Sequence, residues 1–281
     1  MRIAFVDVDG VRTRYLYEGS GPALFLLHGV GVSGDTFCRN IDVLAKKFTV
    51  CAPDMLGHGF TDAVDYRGGP PQPHIVRHVG RLADLLGFDR YSVAGSSFGA
   101  LIAALMYFDR PERLEQLILI GSGSVFHRAD DQRDTLRAAF ANASTAMGAP
   151  TLESCRQRMA NICHDPRSVG DEMLLVQLTS YALPDRFSAY KATIEGMIAS
   201  LSSNDPEQHR VYGRLDRIKA PTLVLTGRED VRADVKMHEA GVKRMPNARL
   251  VIFDRCGHLP YMEYPERFNA VVTEFMTEAD A

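Results

Sequence analysis

A serine with glycines two residues away on either side, a histidine close to the C-terminus and an acid between them define the first chemistry this sequence offers. Gly95-Ser96-Ser97-Phe98-Gly99 is a G-x-S-x-G segment. Glycines at those positions let the chain turn tightly enough to hold Ser97 in a strained conformation at a strand end, and the following helix aims its first amides at developing negative charge. Ser96 lacks that flanking and is in the wrong register for a nucleophile. A serine hydroxyl needs a base. Of the nine histidines, His258 in Cys256-Gly257-His258-Leu259-Pro260 follows the last apolar run and is preferred. His28 ends an apolar run, where packing is expected. His74 and His78 are spaced i, i+4 but have no third ligand or His-Glu-x-x-His pattern, so they read as ordinary helix-surface residues. The base in turn needs an acid to fix its tautomer. Asp230, in Gly227-Arg228-Glu229-Asp230, is the first choice, with Glu229 a near rival and Asp254 a weaker one. The order Ser97, Asp230, His258 suits a triad carried on successive strand ends. The backbone amides of Phe98 and of Val30, in His28-Gly29-Val30-Gly31, are the expected donors to a tetrahedral oxyanion.

A second motif points to different chemistry. Gly29-Val30-Gly31-Val32-Ser33-Gly34 is a G-x-G-x-x-G after an apolar run, and Asp54 lies 20 residues beyond Gly34. That is the dinucleotide-binding fingerprint with its ribose carboxylate, and it would make the chain an oxidoreductase. The segment 35–40 opens its helix late for this fingerprint, and a dehydrogenase leaves Ser97, Asp230 and His258 without a purpose.

The elements that must position these residues follow from short apolar runs bounded by turn residues, at 23–27, 48–52, 91–94, 117–120, 222–226 and 248–253. The N-terminal residues 1–10 read as a further strand that ends in a turn. Helical patterns occupy 41–47, 73–86, 99–108, 236–245 and 265–276. Strands apolar on both faces that alternate with helices predict an α/β fold, with a mostly parallel sheet covered by helices on both faces. Between 125 and 212 the alternation stops, and the Arg-, Met- and Ala-rich composition reads as helical. The expected organisation is a core built from 1–124 and 213–281, with a helical cap at 125–212.

Length and charge narrow the function. A chain of 281 residues can bury a large core and carry such an insertion. A net charge of −3 gives no reason to expect nucleic acid or an anionic membrane as partner, and the longest apolar stretches, such as 101–108, are far too short to span a bilayer. Five cysteines, odd in number and with no Cys-x-x-Cys, argue against a disulfide framework and for a reducing compartment. The expected setting is cytoplasmic, the expected partner a small-molecule substrate, and homo-oligomerisation is left open.

Along nearly its whole length the chain resembles the α/β-hydrolase superfamily. The resemblance rests on Leu27-His28-Gly29-Val30-Gly31, the segment 52–59, the Ser97 turn, Gly227-Arg228-Glu229-Asp230 and Cys256-Gly257-His258. Within the superfamily it is similar to the meta-cleavage-product hydrolases at 52–57, Ser97-Phe98-Gly99, Pro111-Glu112-Arg113 and 117–121. That resemblance implies cleavage of a carbon–carbon bond in ring-fission products of aromatic degradation, without metal or organic cofactor. Three positions depart from the group. Ser96 stands where Asn is usual before the nucleophile, Leu259 where Trp is usual after the histidine, and Gln177 where a cap arginine grips the substrate carboxylate. With these neutral replacements the first expectation is a hydrolase of small carboxylic esters or related acyl compounds. The alternative is a ring-fission dienoate hydrolase, and a catalytically silent ligand receptor of the same fold comes third. Gly29, Ser96, Gln177 and Leu259 are the expected substrate contacts. Phe126, Met159, Met173, Leu178 and Phe187 are expected either to line an apolar pocket or to form the core of the cap. Arg156, Arg167 and Arg186 remain as cap cations that could meet a carboxylate.

Overall fold

The computed structural model describes residues 1–203 and 208–278. The apolar runs become one eight-stranded sheet: β1 (Arg2–Val8), β2 (Val11–Glu18), β3 (Ala23–Leu27), β4 (Thr49–Pro53), β5 (Tyr91–Ser96), β6 (Leu114–Ile120), β7 (Thr222–Gly227) and β8 (Ala248–Phe253). Their spatial order is β1-β2-β4-β3-β5-β6-β7-β8. β1, β2 and β4 pair antiparallel, and every pairing from β4 onward is parallel. β3, β5 and β7 are buried at every position, which requires cover on both faces of the sheet.

The hairpin of β1 and β2 turns at Asp9 and Gly10, both with positive φ, the two-residue turn whose twist matches that of its strands. β2 is not foreseen in the sequence, because Val11-Arg12-Thr13-Arg14-Tyr15 has no apolar run. It is held instead by a buried charge cluster. The Arg14 guanidinium donates to Asp35 at 2.6 and 2.8 Å and to Asp54 at 3.1 Å.

Helices α1 (Cys38–Leu44), α2 (Pro71–Leu85) and α3 (Phe98–Asp109) alternate with the strands as far as β6. α1 starts three residues before the expected 41, because a 3-10 turn at Gly34–Phe37 runs straight into it. The chain leaves the sheet after Ile120 and returns at Thr222, and those two strands are hydrogen-bonded neighbours. The excursion holds α4 (Gly123–Phe126), α5 (Ala129–Gly148), α6 (Leu152–Ala160), α7 (Asp171–Tyr181) and α8 (Arg186–Ser200). α5 packs on α8, with Phe140 stacked on Tyr190 at 6.0 Å. α6 begins at a reciprocal cap, in which Thr151 Oγ1 accepts from the Ser154 amide and Ser154 Oγ accepts from the Thr151 amide, each at 3.0 Å. After β7 come α9 (Val235–Val242), α10 (Pro260–Glu263) and α11 (Pro265–Glu278). Among the described residues no helix is long and apolar enough to cross a membrane.

Candidate active site

Ser97 sits between the last residue of β5 and the first of α3 with φ 53° and ψ −111°, a conformation that non-glycine residues rarely adopt. The flanking glycines make room for it. A Cβ on Gly99 would lie 2.2 Å from the Leu27 carbonyl oxygen, and one on Gly95 2.2 Å from that of Gly99. No side chain fits there, so β3, β5 and the start of α3 approach as closely as their backbones allow. The Ser97 amide donates to Ile120 O at 2.8 Å, and Ser122 Oγ donates to Ser97 O at 2.8 Å, which fixes the turn from both sides. Phe98 opens α3, so its amide has no acceptor within the helix and is available to a ligand.

His258 and Asp230 come from the loops after β8 and β7. The imidazole Nδ1 lies 2.9 and 3.0 Å from the two carboxylate oxygens of Asp230. Asp230 Oδ1 also accepts from the backbone amides of Arg232 at 2.7 Å and Ala233 at 3.2 Å, which aims the carboxylate. With Nδ1 donating to Asp230, Nε2 is left as the acceptor. Gly121, at φ 51°, leaves the space this pair occupies, since a Cβ there would sit 3.2 Å from Asp230 Oδ2 and 3.4 Å from His258 Nδ1. The rival acids serve elsewhere. Glu229 is exposed and accepts from the Cys256 amide at 2.8 Å, and Asp254 pairs with Arg228 on the surface.

Ser97 and His258 line one cavity, together with Gly29, Val30, Ser96, Phe98 and Leu259 from the sheet side. Its roof comes from the excursion: Leu136 and Ala139 of α5, Arg158 of α6, Ile162, and Tyr190 and Met197 of α8. Gln177 is not among the lining residues. It is buried, and its amide Nε2 approaches Met159 Sδ at 3.5 Å. Phe126, Met159, Met173, Leu178 and Phe187 also lie off the cavity: the first three pack in the core, and Leu178 and Phe187, half-buried, pack against it. None of the three expected cap arginines reaches it. Arg156 pairs with Asp171 at 2.8 Å, Arg167 with Asp165 at 2.9 Å, and Arg186 donates to Thr61 O at 2.7 Å.

The cavity does contain two arginines that the sequence alone does not single out, Arg158 and Arg232. Arg232 had a local signal, standing two residues after the acid of the triad pattern. Arg158 had none, being one of several arginines in the helical segment. The cavity also holds neutral donors. Thr36, Ser96 and Tyr261 line it, and the buried Tyr261 hydroxyl lies beside those of Ser96 and Thr36. Burial pushes the Tyr261 phenol up to about 12, so it stays a neutral donor.

Residues 22–265 match the family described as alpha/beta hydrolase fold. The chain belongs to the alpha/beta hydrolase family. This hydrolase is 31% identical to the 2-hydroxy-6-oxononadienedioate/2-hydroxy-6-oxononatrienedioate hydrolase of Burkholderia vietnamiensis, over 95% of this chain and 92% of the relative. It is 29% identical to the 2-hydroxymuconate semialdehyde hydrolase of Pseudomonas putida, over 97% of this chain and 93% of the relative. Among solved structures, the meta-cleavage product hydrolase from Pseudomonas fluorescens IP01 superposes with a TM-score of 0.80 at 26% identity, covering 98% of each chain.

In this hydrolase the residues of the dinucleotide fingerprint do structural work. Asp54 is completely buried. Its Oδ1 accepts from the Gly34 amide at 2.7 Å, and its Oδ2 from the Phe60 amide at 2.9 Å and from Arg14 at 3.1 Å, which leaves no oxygen for a ribose. Gly34 opens a 3-10 turn, not a helix facing a pyrophosphate. His28 is buried too: Nδ1 meets Gly29 O at 2.7 Å, Nε2 accepts from the Met55 amide at 3.0 Å, and burial lowers its pKa, so it stays neutral. His74 is exposed, but His78 is buried, contrary to the surface position expected for it, and its Nε2 contacts Thr13 Oγ1 at 2.9 Å. Thr13 lies on β2, the strand the sequence did not reveal, so nothing foretold a partner for His78.

Proposed function

We propose that this hydrolase cleaves a carbon–carbon bond beside a ketone in a ring-fission dienoate, with Ser97 as nucleophile, His258 as general base and acid, and Asp230 orienting the imidazole. The observation that carries this reading over ester hydrolysis is the charge of the cavity. Arg158 and Arg232 line it with no carboxylate paired to either among the described residues, and a buried cation favours an anionic ligand over a neutral one. The named activities of the two relatives, both acting on anionic ring-fission products, support the same choice.

The proposed reaction has four steps. The dienol first tautomerises to the keto form, so that the leaving carbon can depart as a stabilised enolate. His258 Nε2 takes the proton of Ser97 Oγ as that oxygen adds to the ketone carbon, and the amides of Val30 and Phe98 hold the resulting oxyanion. Collapse breaks the carbon–carbon bond, and the imidazolium protonates the departing carbon. Water, deprotonated by His258, then adds to the acyl-serine and releases the acid and Ser97. Ester hydrolysis would use the same groups. It is favoured only by the neutral side chains at 96, 177 and 259, of which Gln177 lies off the cavity.

Steady-state kinetics on a ring-fission dienoate and on a neutral short-chain aryl ester test the choice. The dienoate is expected to have the higher kcat/KM by tenfold or more. An ester preferred by the same margin would replace the proposal with an esterase.

A further inference from the structure

The walls of the cavity differ in polarity. The polar side chains that line the cavity include the neutral hydroxyls of Thr36, Ser96 and Tyr261, which lie beside one another. The cations belong to other elements. Arg158 is carried by α6 and is 6% exposed. Its Nη2 donates to Val30 O at 3.2 Å, and its Nη1 donates to the Tyr181 hydroxyl, which in turn donates to Gly31 O at 2.6 Å. Arg158 is therefore fixed against the loop that carries the Val30 amide, while its Nε has no partner. Arg232 is held through its backbone by Asp230, and its side chain makes no hydrogen bond or ion pair among the described residues. Arg158 and Arg232 line the same cavity, and burial lowers the Arg232 pKa, with the Arg158 charge acting in the same direction. The charge of each also bears on the phenol of Tyr190, whose ring edge lies against Gly31 and whose hydroxyl donates to Ala139 O at 2.9 Å.

We propose that Arg158 and Arg232 form one anion site, beside Tyr190, that receives a single carboxylate of the substrate. Two cations line the cavity with no carboxylate among its described lining residues, and Asp230, just behind His258, is already occupied by two backbone amides and the imidazole. A substrate carboxylate entering the cavity offsets the two positive charges and can accept charge-assisted hydrogen bonds from the guanidiniums. The hydroxyl cluster offers only neutral donors and suits an uncharged carbonyl or enol oxygen. The substrate is thus oriented with its carboxylate toward α6 and the loop after β7. This assignment rests on the proposed hydrolase reading only in placing the ligand in the same cavity.

The test measures binding, so it does not need turnover. Ser97→Ala protein is titrated calorimetrically with 4-phenylbutanoate and with its neutral isostere 4-phenylbutanamide. The carboxylate is expected to bind at least about tenfold more tightly than the amide. Arg232→Gln in the same background is expected to weaken the carboxylate by about ten- to a hundredfold and the amide by less than about threefold, and Arg232→Lys to recover part of the loss. Arg158→Lys, which keeps charge and bulk, serves for the more structural arginine and is expected to weaken the carboxylate selectively. A preference for the carboxylate that survives Arg232→Gln overturns the site, as does equal binding of acid and amide in the parent. Inorganic phosphate that displaces the carboxylate with higher affinity would assign the site to a phosphoryl group instead. A chain that shows the preference yet cleaves no dienoate keeps this anion site and loses the proposed reaction.

Discussion

At the scale of single residues, Ser97 holds an uncommon backbone conformation that the glycines on either side make room for. Ser97→Ala should lower kcat by on the order of 10³ to 10⁶ with the fold intact, since members of a triad act as a unit. Asp230→Asn should cost about 10⁴ in kcat through loss of tautomer control, whereas Glu229→Gln, at an exposed loop anchor, should cost on the order of tenfold or less. Steady-state rates for the three variants check this, and a crippled Glu229→Gln would move the acid by one residue. The candidate residues Ser97, Asp230 and His258 could be picked from the sequence because each lies within three residues of a glycine that follows an apolar run. Arg158 was not legible, for a geometric reason. Arg156 and Arg158 are two residues apart on α6, about 200° around the helix, so one faces Asp171 at the surface and the other the cavity. Composition cannot say which, because the phase of a nine-residue helix is set by what it packs against.

Elements show the same division. The strands buried on both faces announced themselves as short, largely apolar runs. β2 escaped because it is stabilised by Arg14 with Asp35 and Asp54, and a buried ion cluster reads in sequence as surface. Glycines separate in a comparable way, by what surrounds them. Gly99 lets α3 touch β3, so Gly99→Ala should destabilise by about 1 to 3 kcal/mol or more, because a backbone carbonyl cannot step aside. Gly80 lies within α2, and a methyl group there would meet no atom inside 4 Å, so Gly80→Ala should stabilise by about 0.5 to 1 kcal/mol through helix propensity. Thermal unfolding of both variants reads the contrast. Equal shifts would mean that the approach of α3 to β3 has slack.

At the scale of the whole molecule, the helical excursion has to be registered on the sheet, because the cavity takes Ser97 from one and its roof from the other. A large part of that registration runs through Glu263 of α10. Its Oε1 accepts from the Gly257 amide at 2.9 Å, next to His258, and its Oε2 accepts from the His164 amide at 2.8 Å and the Asp165 amide at 3.3 Å, between α6 and α7. His258 itself donates its amide to Ile162 O at 2.8 Å. Burial raises the Glu263 pKa above its ordinary 4.5, even though the backbone amides of His164, Asp165 and Gly257 pull the other way. The folded carboxyl therefore keeps its proton to a higher pH than the unfolded one. Between the two values the native state binds more protons, so stability rises as pH falls through that window and the benefit is lost above it. Glu263→Gln has no such titration but keeps the side-chain carbonyl oxygen as an acceptor. The melting temperature of the parent, relative to Glu263→Gln, should climb as the pH is lowered from 7 toward 4.5. A difference that stays flat, or falls, over that range would show that the three amides outweigh burial and that the clamp works as a carboxylate throughout.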